Sequence, residues 1–294
     1  MALNVLRSLR PRQWTKNLFV FAGLVFSEQK KLLDPRSAEL AIAAFGVFCV
    51  LSGVVYLLND IRDREVDRVH PTKSRRPIAS GALPVPVAGA CAVVFGAAGL
   101  GAAFWIGPAF GIVGVLYVGL LGLYSLTLKH VVILDALSLS LGFVLRAIGG
   151  AVAIDVPFSH WLLLCTLLLA LFLALSKRRA EITTLAAGAA GHRRILAEYS
   201  PYLLDQMIGV VTASTLLAYA FYTISAETVA KVGTDHLIYT VPFPLYGIFR
   251  YLYLVHQREA GGNPSELLLT DRPLLACVAL WVVAVIVILY GPWR

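Results

Sequence analysis

Between Asn59 and Gly81 the chain reads Asn-Asp-Ile-Arg-Asp-Arg-Glu-Val-Asp-Arg-Val-His-Pro-Thr-Lys-Ser-Arg-Arg-Pro-Ile-Ala-Ser-Gly. The opening residues of this stretch have the types and spacing of a metal–phosphate site. At 100° per helical residue, with Asp60 at zero, Asn59 falls at about −100°, Asp63 at about −60° and Asp67 at about −20°. Asn59, Asp60, Asp63 and Asp67 therefore share one arc of a helix end. Clustered oxygen ligands suit a hard cation such as Mg²⁺, which uses one or two carboxylates and completes its shell with water and phosphate. The following Arg68, His70, Lys73, Arg75 and Arg76 could hold the same phosphates. A solvated helix end with basic anchors is the plainer alternative, but anchoring gives no reason for three acids on one arc.

The elements that must position this stretch are membrane helices. An apolar run from Ala38 to Leu58 precedes the arc and is long enough to cross a bilayer. Of the 294 residues 59% are hydrophobic and 14% charged, against roughly 25% charged in a soluble domain. Mean hydropathy is +0.77. The composition predicts an all-α, polytopic membrane helical bundle. About nine spans are expected, near 14–30, 38–60, 86–106, 109–127, 132–153, 158–177, 203–225, 237–256 and 272–290. Residues 1–294 read as a single transmembrane domain, with an interfacial helix over 1–13 and Trp14 at headgroup depth. No long apolar stretch with a small-residue cleavage site marks a signal peptide near the start. Gly96, Gly99, Gly101, Gly111, Gly114, Gly119 and Gly122 predict close helix packing in the third and fourth spans.

The net charge of +8 does not call for nucleic acid, because the basic residues gather in the loops between spans. Nineteen Lys and Arg fall on the side holding the N-terminus and the Asn59–Gly81 loop. Five fall on the other side: Lys30, Lys31, Arg36, Lys231 and Arg294. That imbalance makes the side with the acidic arc cytoplasmic. Cys49, Cys91, Cys165 and Cys277 lie in apolar runs without paired spacing, so they read as small buried side chains. Arg146 falls inside the fifth span, where a guanidinium is expensive and must face a partner. A salt bridge to Asp135 would serve, and so would a pyrophosphate or carboxylate within a cavity. The sixth span ends in Ser-Lys-Arg-Arg-Ala-Glu, placing Lys177, Arg178, Arg179 and Glu181 at helical neighbour spacing on the same face as the arc. Between them and the next span, His192 to Asp205 reads as a polar loop, either a cover or a connector. Gln257 to Arg272 has turn residues and no assignable constellation.

Asn-Asp-x-x-Asp-x-x-x-Asp after the second span resembles the first aspartate-rich motif of the UbiA superfamily of intramembrane prenyltransferases. Extended through His-Pro-x-Lys-x-x-Arg-Pro-Ile-Ala-Ser-Gly, it more closely resembles the decaprenyl-phosphate phosphoribosyltransferase branch. Arg10-Pro-Arg-Gln-Trp-Thr-Lys-Asn17 is similar to that branch's entry to the first span, which implies that Lys16 and Asn17 line the site. The Tyr124…Leu-Lys stretch before Asp135 favours Lys129 as a phosphate contact, with a membrane anchor as the alternative. At the end of the sixth span the wider superfamily carries a second aspartate-rich motif. Here Lys177, Arg178, Arg179 and Glu181 stand instead, as in the Lys-Arg-Arg-x-Glu stretch of the branch.

The resemblance implies transfer of 5-phosphoribose from phosphoribosyl pyrophosphate to a polyprenyl phosphate, with release of pyrophosphate, in cell-envelope (cell wall) glycan precursor synthesis. It implies a Mg²⁺-dependent transferase of the bacterial inner (cell) membrane whose active site faces the cytoplasm. Asp60, Asp63 and Asp67 would be its catalytic metal ligands together with Asn59. Lys73, Arg75, Arg76, Lys129, Arg146, Lys177, Arg178 and Arg179 would meet the phosphates of donor and lipid. Two alternatives stay open. An aromatic prenyltransferase using a prenyl diphosphate would ordinarily need the second acidic motif. An anion transporter would place charges near the midplane on interrupted, repeat-like helices. Monomer and homo-oligomer are not distinguished by the sequence.

Overall fold

Long apolar segments in lipid must satisfy their backbone groups internally. The computed structural model describes residues 1–27, 31–157, 159–186, 194–258 and 264–291, and these contain helices and no strand. Their order is α1 (Ala2–Ser8), a 3-10 segment (Pro11–Phe21), α2 (Ala22–Val25), α3 (Pro35–Arg62), α4 (Arg64–Arg68), α5 (Val85–Ile106) and α6 (Pro108–Leu126). Then follow α7 (Leu134–Ala153), α8 (His160–Ala186), α9 (Pro201–Ile224), α10 (Ala226–Val232), α11 (Pro242–Gln257), α12 (Pro264–Thr270) and α13 (Arg272–Tyr290). Helices α3, α6, α9 and α11 open on proline, whose missing N–H costs nothing at that position. Asp34, Ser200 and Asp271 cap α3, α9 and α13 through their side-chain oxygens.

Among the described residues seven helices are long and apolar enough to cross a membrane: α3, α5, α6, α7, α8, α9 and α13. The expected count of nine is not confirmed by these helices, because two of the expected spans are not single long α-helices. The first is a 3-10 segment of 11 residues followed by a four-residue α2. The eighth is split between a 3-10 turn, His236–Thr240, and the 16-residue α11. A 16-residue α-helix rises about 24 Å, short of a hydrocarbon core of about 30 Å. Lys30, Phe158, His192, Arg193, the 259–263 part of the turn-rich loop and Arg294 lie outside the described residues.

The 3-10 segment is threaded between α3 and α7. Its path depends on small residues: a Cβ on Gly150 would sit 1.8 Å from the Val20 carbonyl oxygen, and one on Gly23 would sit 2.8 Å from Ala151 Cα. No side chain larger than hydrogen fits at Gly150, which lets the segment carry Asn17 and Val20 into full burial. The packing expected of the α5 and α6 glycines holds only in part. Gly99 and Gly114 lie against Leu51 of α3, whereas Gly101, Gly119 and Gly122 face open space. Glycine density alone does not separate a helix-facing stripe from a lipid-facing one.

Candidate functional site

Helix α3 ends at Arg62, just before its acidic arc is complete. Asp63 leaves helical geometry (φ −86, ψ 6) and α4 restarts at Arg64. The hydrogen bonds Asp63 N–H to Asn59 O (2.9 Å) and Asp67 N–H to Asp63 O (2.8 Å) keep the i,i+4 relation across the break. The arc read as one helix end is therefore spread over two. Asp60 and Asp67 are buried, and Asn59 and Asp63 half-buried.

Each carboxylate is drawn to a base. Arg76 Nη1 lies 3.0 Å from Asp60 Oδ1 and 2.6 Å from Asp67 Oδ2. Arg10, reaching from before the 3-10 segment, places Nη2 2.5 Å from the same Asp60 oxygen and its guanidinium 4.7 Å from the centre of the Tyr56 ring. Asp63 instead accepts from Lys129 Nζ at 2.7 Å. Lys129 is itself buried, on the 3-10 turn before α7. No three His, Cys, Asp or Glu side chains form a ligand group among the described residues. Even so, the donor set fits a divalent cation. Arg76 Nη1 contacts Asp60 Oδ1 and Asp67 Oδ2 together, so two carboxylate oxygens converge there, a donor type that suits a hard cation. Of the other basic candidates, Arg75 is exposed, and the Lys73 N–H faces His70 Nδ1 at 3.4 Å.

Deeper in the bundle a second cluster forms around Arg146 of α7. Its Nε donates to Asn17 Oδ1 (2.7 Å), Nη2 to the Tyr117 hydroxyl (2.6 Å) and Nη1 to the Gly142 carbonyl (3.0 Å). All three acceptors are neutral. Asn17 also donates to Cys49 Sγ and Ser52 Oγ of α3. Of the partners expected for Arg146, neither Asp135 nor another carboxylate meets it among the described residues, which leaves the pyrophosphate. Asp135 is engaged elsewhere, so that expectation is corrected. Lys16 lies within Coulombic range of both Arg146 and Arg10.

The end of α8 behaves differently. Arg178, with 3% of its side chain exposed, donates to Asp135 Oδ2 (2.7 Å), to Glu181 Oε2 (2.5 Å) and to the Tyr124 hydroxyl. Arg179 pairs with Asp205 at 2.5 Å, and Lys177 lies 3.7 Å from Glu181. Three bases thus meet three acids. Tyr199, ahead of α9, accepts the Ile133 N–H and donates to Asp135 Oδ1, both at 2.7 Å. Burial pushes the Tyr199 hydroxyl up to about 12, so it stays protonated and keeps donating. A cavity of about 60 Å³ between Gly23, Ala151, Ser159 and Tyr222 lies toward the other end of α7.

The UbiA prenyltransferase family matches residues 17–269. The chain is 34% identical over 293 residues to the decaprenyl-phosphate phosphoribosyltransferase of Corynebacterium glutamicum, covering 99% of this chain and 88% of that protein. It is 33% identical to the protein of the same name from Mycolicibacterium smegmatis, covering 95% and 90%. The chain belongs to the UbiA prenyltransferase family. Among solved structures, the fold resembles a UbiA homologue from Archaeoglobus fulgidus bound to GPP and Mg²⁺, with a TM-score of 0.73, 19% identity, and 98% and 99% of the two chains covered.

In this UbiA-family chain the structure brings Asp60, Asp67 and Arg76 to one point, joins Asp63 to Lys129, and joins Lys16, Asn17 and Arg146 in the interior. It keeps Lys177, Arg178, Arg179 and Glu181 within a neutralised network of their own. Sequence reasoning missed Arg10, Tyr117 and Tyr199. Arg10 stood in a quoted motif, but its left-handed backbone (φ 52), which helps to turn the chain into the 3-10 segment, has no residue signature. Tyr117 sits in an apolar run where a lone hydroxyl reads as core.

Proposed function

We propose that the chain transfers 5-phosphoribose from phosphoribosyl pyrophosphate to a polyprenyl phosphate and releases pyrophosphate. The observation that carries this reading is the identity, over nearly its whole length, to relatives named decaprenyl-phosphate phosphoribosyltransferase. The residues suit the reaction. The lipid phosphate is already an anion, so forming its bond to C1 of the ribose needs no strong general base. What must be stabilised is the pyrophosphate leaving C1, where negative charge grows.

Asp60, Asp63, Asp67 and the Asn59 amide would hold Mg²⁺, which when bound neutralises pyrophosphate charge. The neighbouring cations orient the donor. Arg76 and Lys129 are paired with those acids, and their charges would lie beside the donor's phosphates. Arg178 is held by Asp135, Glu181 and Tyr124, so it positions the α7–α8 contact rather than touching donor. A soluble donor would enter from the cytoplasmic face of the inner membrane, while the prenyl chain stays among apolar helices and brings its phosphate to C1.

Mass spectrometry of lipid extracts from purified protein, phosphoribosyl pyrophosphate, Mg²⁺ and polyprenyl phosphate tests the reading. A lipid heavier by one phosphoribosyl group is expected, and an unchanged acceptor lipid would reject it.

A further inference from the structure

Between α6 and α7 the chain reads Leu128-Lys-His-Val-Val-Ile-Leu-Asp135, and its middle residues are of types that seldom take a positive φ. Ile133 nevertheless has φ 69 and ψ −46, and the Leu134 N–H closes on the Val132 carbonyl at 2.8 Å. That is a γ-turn of the rare, strained kind, and a β-branched side chain tolerates it least. The Ile133 side chain is half exposed, so its own burial does little to hold it there.

A strained residue persists only where its surroundings over-determine it. Here the brace comes from 66 residues away. The Tyr199 hydroxyl accepts the Ile133 N–H and donates to Asp135 Oδ1, both at 2.7 Å, which fastens Ile133 and Asp135 to one oxygen. Arg178 Nε fixes the other oxygen of Asp135. Tyr199 is buried in a core shared with Leu175 of α8 and Leu204 of α9, so the brace has a firm footing. In a capping box, a side chain one turn into the helix meets the N–H of the N-cap residue. Tyr199 meets that N–H from outside, at Ile133, the N-cap of α7.

Lys129 lies on the far side of this turn from α7. Val131 N–H to Leu128 O and Asp135 N–H to Val131 O, both at 3.1 Å, carry the 3-10 turn of Lys129 through Ile133 to the helix. Relaxation of Ile133 towards negative φ would swing that 3-10 turn relative to α7 and draw Lys129 Nζ away from Asp63.

We infer that Tyr199 is a positioning residue, whose hydroxyl holds the strained turn at Ile133 and through it sets Lys129 against Asp63. Its effect on turnover rests on the phosphoribosyl-transfer reading, whereas its effect on Lys129 does not.

The test maps lysine acylation by mass spectrometry on the full-length protein in nanodiscs. Lys129 should be protected in the wild type, its side chain being 5% exposed and ion-paired. Tyr199→Phe keeps the ring and should raise Lys129 labelling about ten-fold, the shift expected once strain of this kind is unopposed. Lys231 on α10 should label as before. Adding Ile133→Gly to Tyr199→Phe should restore protection, because glycine takes positive φ without the steric cost. A tyrosine that merely filled the core would gain nothing from that second change. If Tyr199→Phe does not fold, the double variant should fold and protect Lys129. Wild-type protection in Tyr199→Phe would overturn the inference, and so would a double variant that stays unfolded or labelled. In turnover assays Tyr199→Phe should lower kcat and the Mg²⁺ requirement as Lys129→Met does, and should change neither further in a Lys129→Met background. Additive losses would contradict action through Lys129. Protection that follows Tyr199 and Ile133 as expected, without any ribosylated lipid product, would reject the functional reading and leave the brace standing.

Discussion

Lys129 Nζ lies 2.7 Å from Asp63 Oδ1, an ion pair between residues 66 apart in sequence that ties the turn before α7 to the end of α3. The lysine side chain is 5% exposed and the carboxylate 22%, so neither charge is left to water. A lysine on that oxygen competes with a divalent cation for it. Lys129→Met should therefore lower the Mg²⁺ concentration giving half-maximal activity while also lowering kcat, because a donor-binding charge is lost. Activity titrations against Mg²⁺ check both directions, and a raised Mg²⁺ requirement would contradict the competition.

Arg76 holds Asp60 and Asp67 together through one nitrogen. If that point is where a cation belongs, Asp67→Asn should reduce turnover on the order of 100-fold or more, in the range seen when charge stabilisation is removed. The residual activity should respond little to EDTA, whereas wild-type activity should collapse. Full activity of Asp67→Asn, or of wild-type protein in EDTA, would remove the metal from the scheme.

The Asp135–Arg178 pair serves the fold more than the chemistry. Asp135 is 0% exposed and accepts from both Arg178 and Tyr199. Asp135→Asn should cost about 3 kcal/mol, because it removes the fully buried charge partner of Arg178 and leaves Glu181 alone to balance the guanidinium. Asp205→Asn, whose carboxylate is 39% exposed beside Arg179, should cost about 1 kcal/mol or less. Denaturation midpoints of the two variants check the order, and equal losses would place both pairs on the surface.

Topology is open to a labelling test. Ser80 and Ser200 are exposed on the segments that carry the arc and the start of α9. Single cysteines there, in a background lacking the native four, should react with impermeant thiol reagents only after permeabilisation. Labelling of both in intact cells would reverse the orientation drawn from the basic residues.

Much of this was legible in the chain because it is local. The apolar run before Asn59, the i,i+3 and i,i+4 phasing of Asp60, Asp63 and Asp67, and the basic residues behind them are properties of neighbouring positions. The break at Asp63 was hidden, since the hydrogen bonds on either side keep helical spacing. The form of the first span was hidden for a related reason: Leu18 to Phe26 is apolar and reads as α-helix, but Pro11–Phe21 is a 3-10 segment that Gly23 and Gly150 let pass close against α7. Pairing across the fold could not be read at all. Arg178 looked available for phosphate until Asp135, 43 residues away, took its Nε. Arg146 was expected to meet Asp135, or a pyrophosphate or carboxylate in a cavity, and among the described residues it meets the Asn17 amide, 129 residues away. Burial of charge is visible in a sequence, but its compensation depends on which helices touch.

The most direct measurement offers purified protein, in parallel, radiolabelled phosphoribosyl pyrophosphate with polyprenyl phosphate, and a prenyl diphosphate with 4-hydroxybenzoate. Label in a lipid carrying phosphoribose, formed only in the first reaction and dependent on Mg²⁺, is the expected result. A prenylated aromatic with no ribosylated lipid would contradict it and leave the fold without the assigned chemistry.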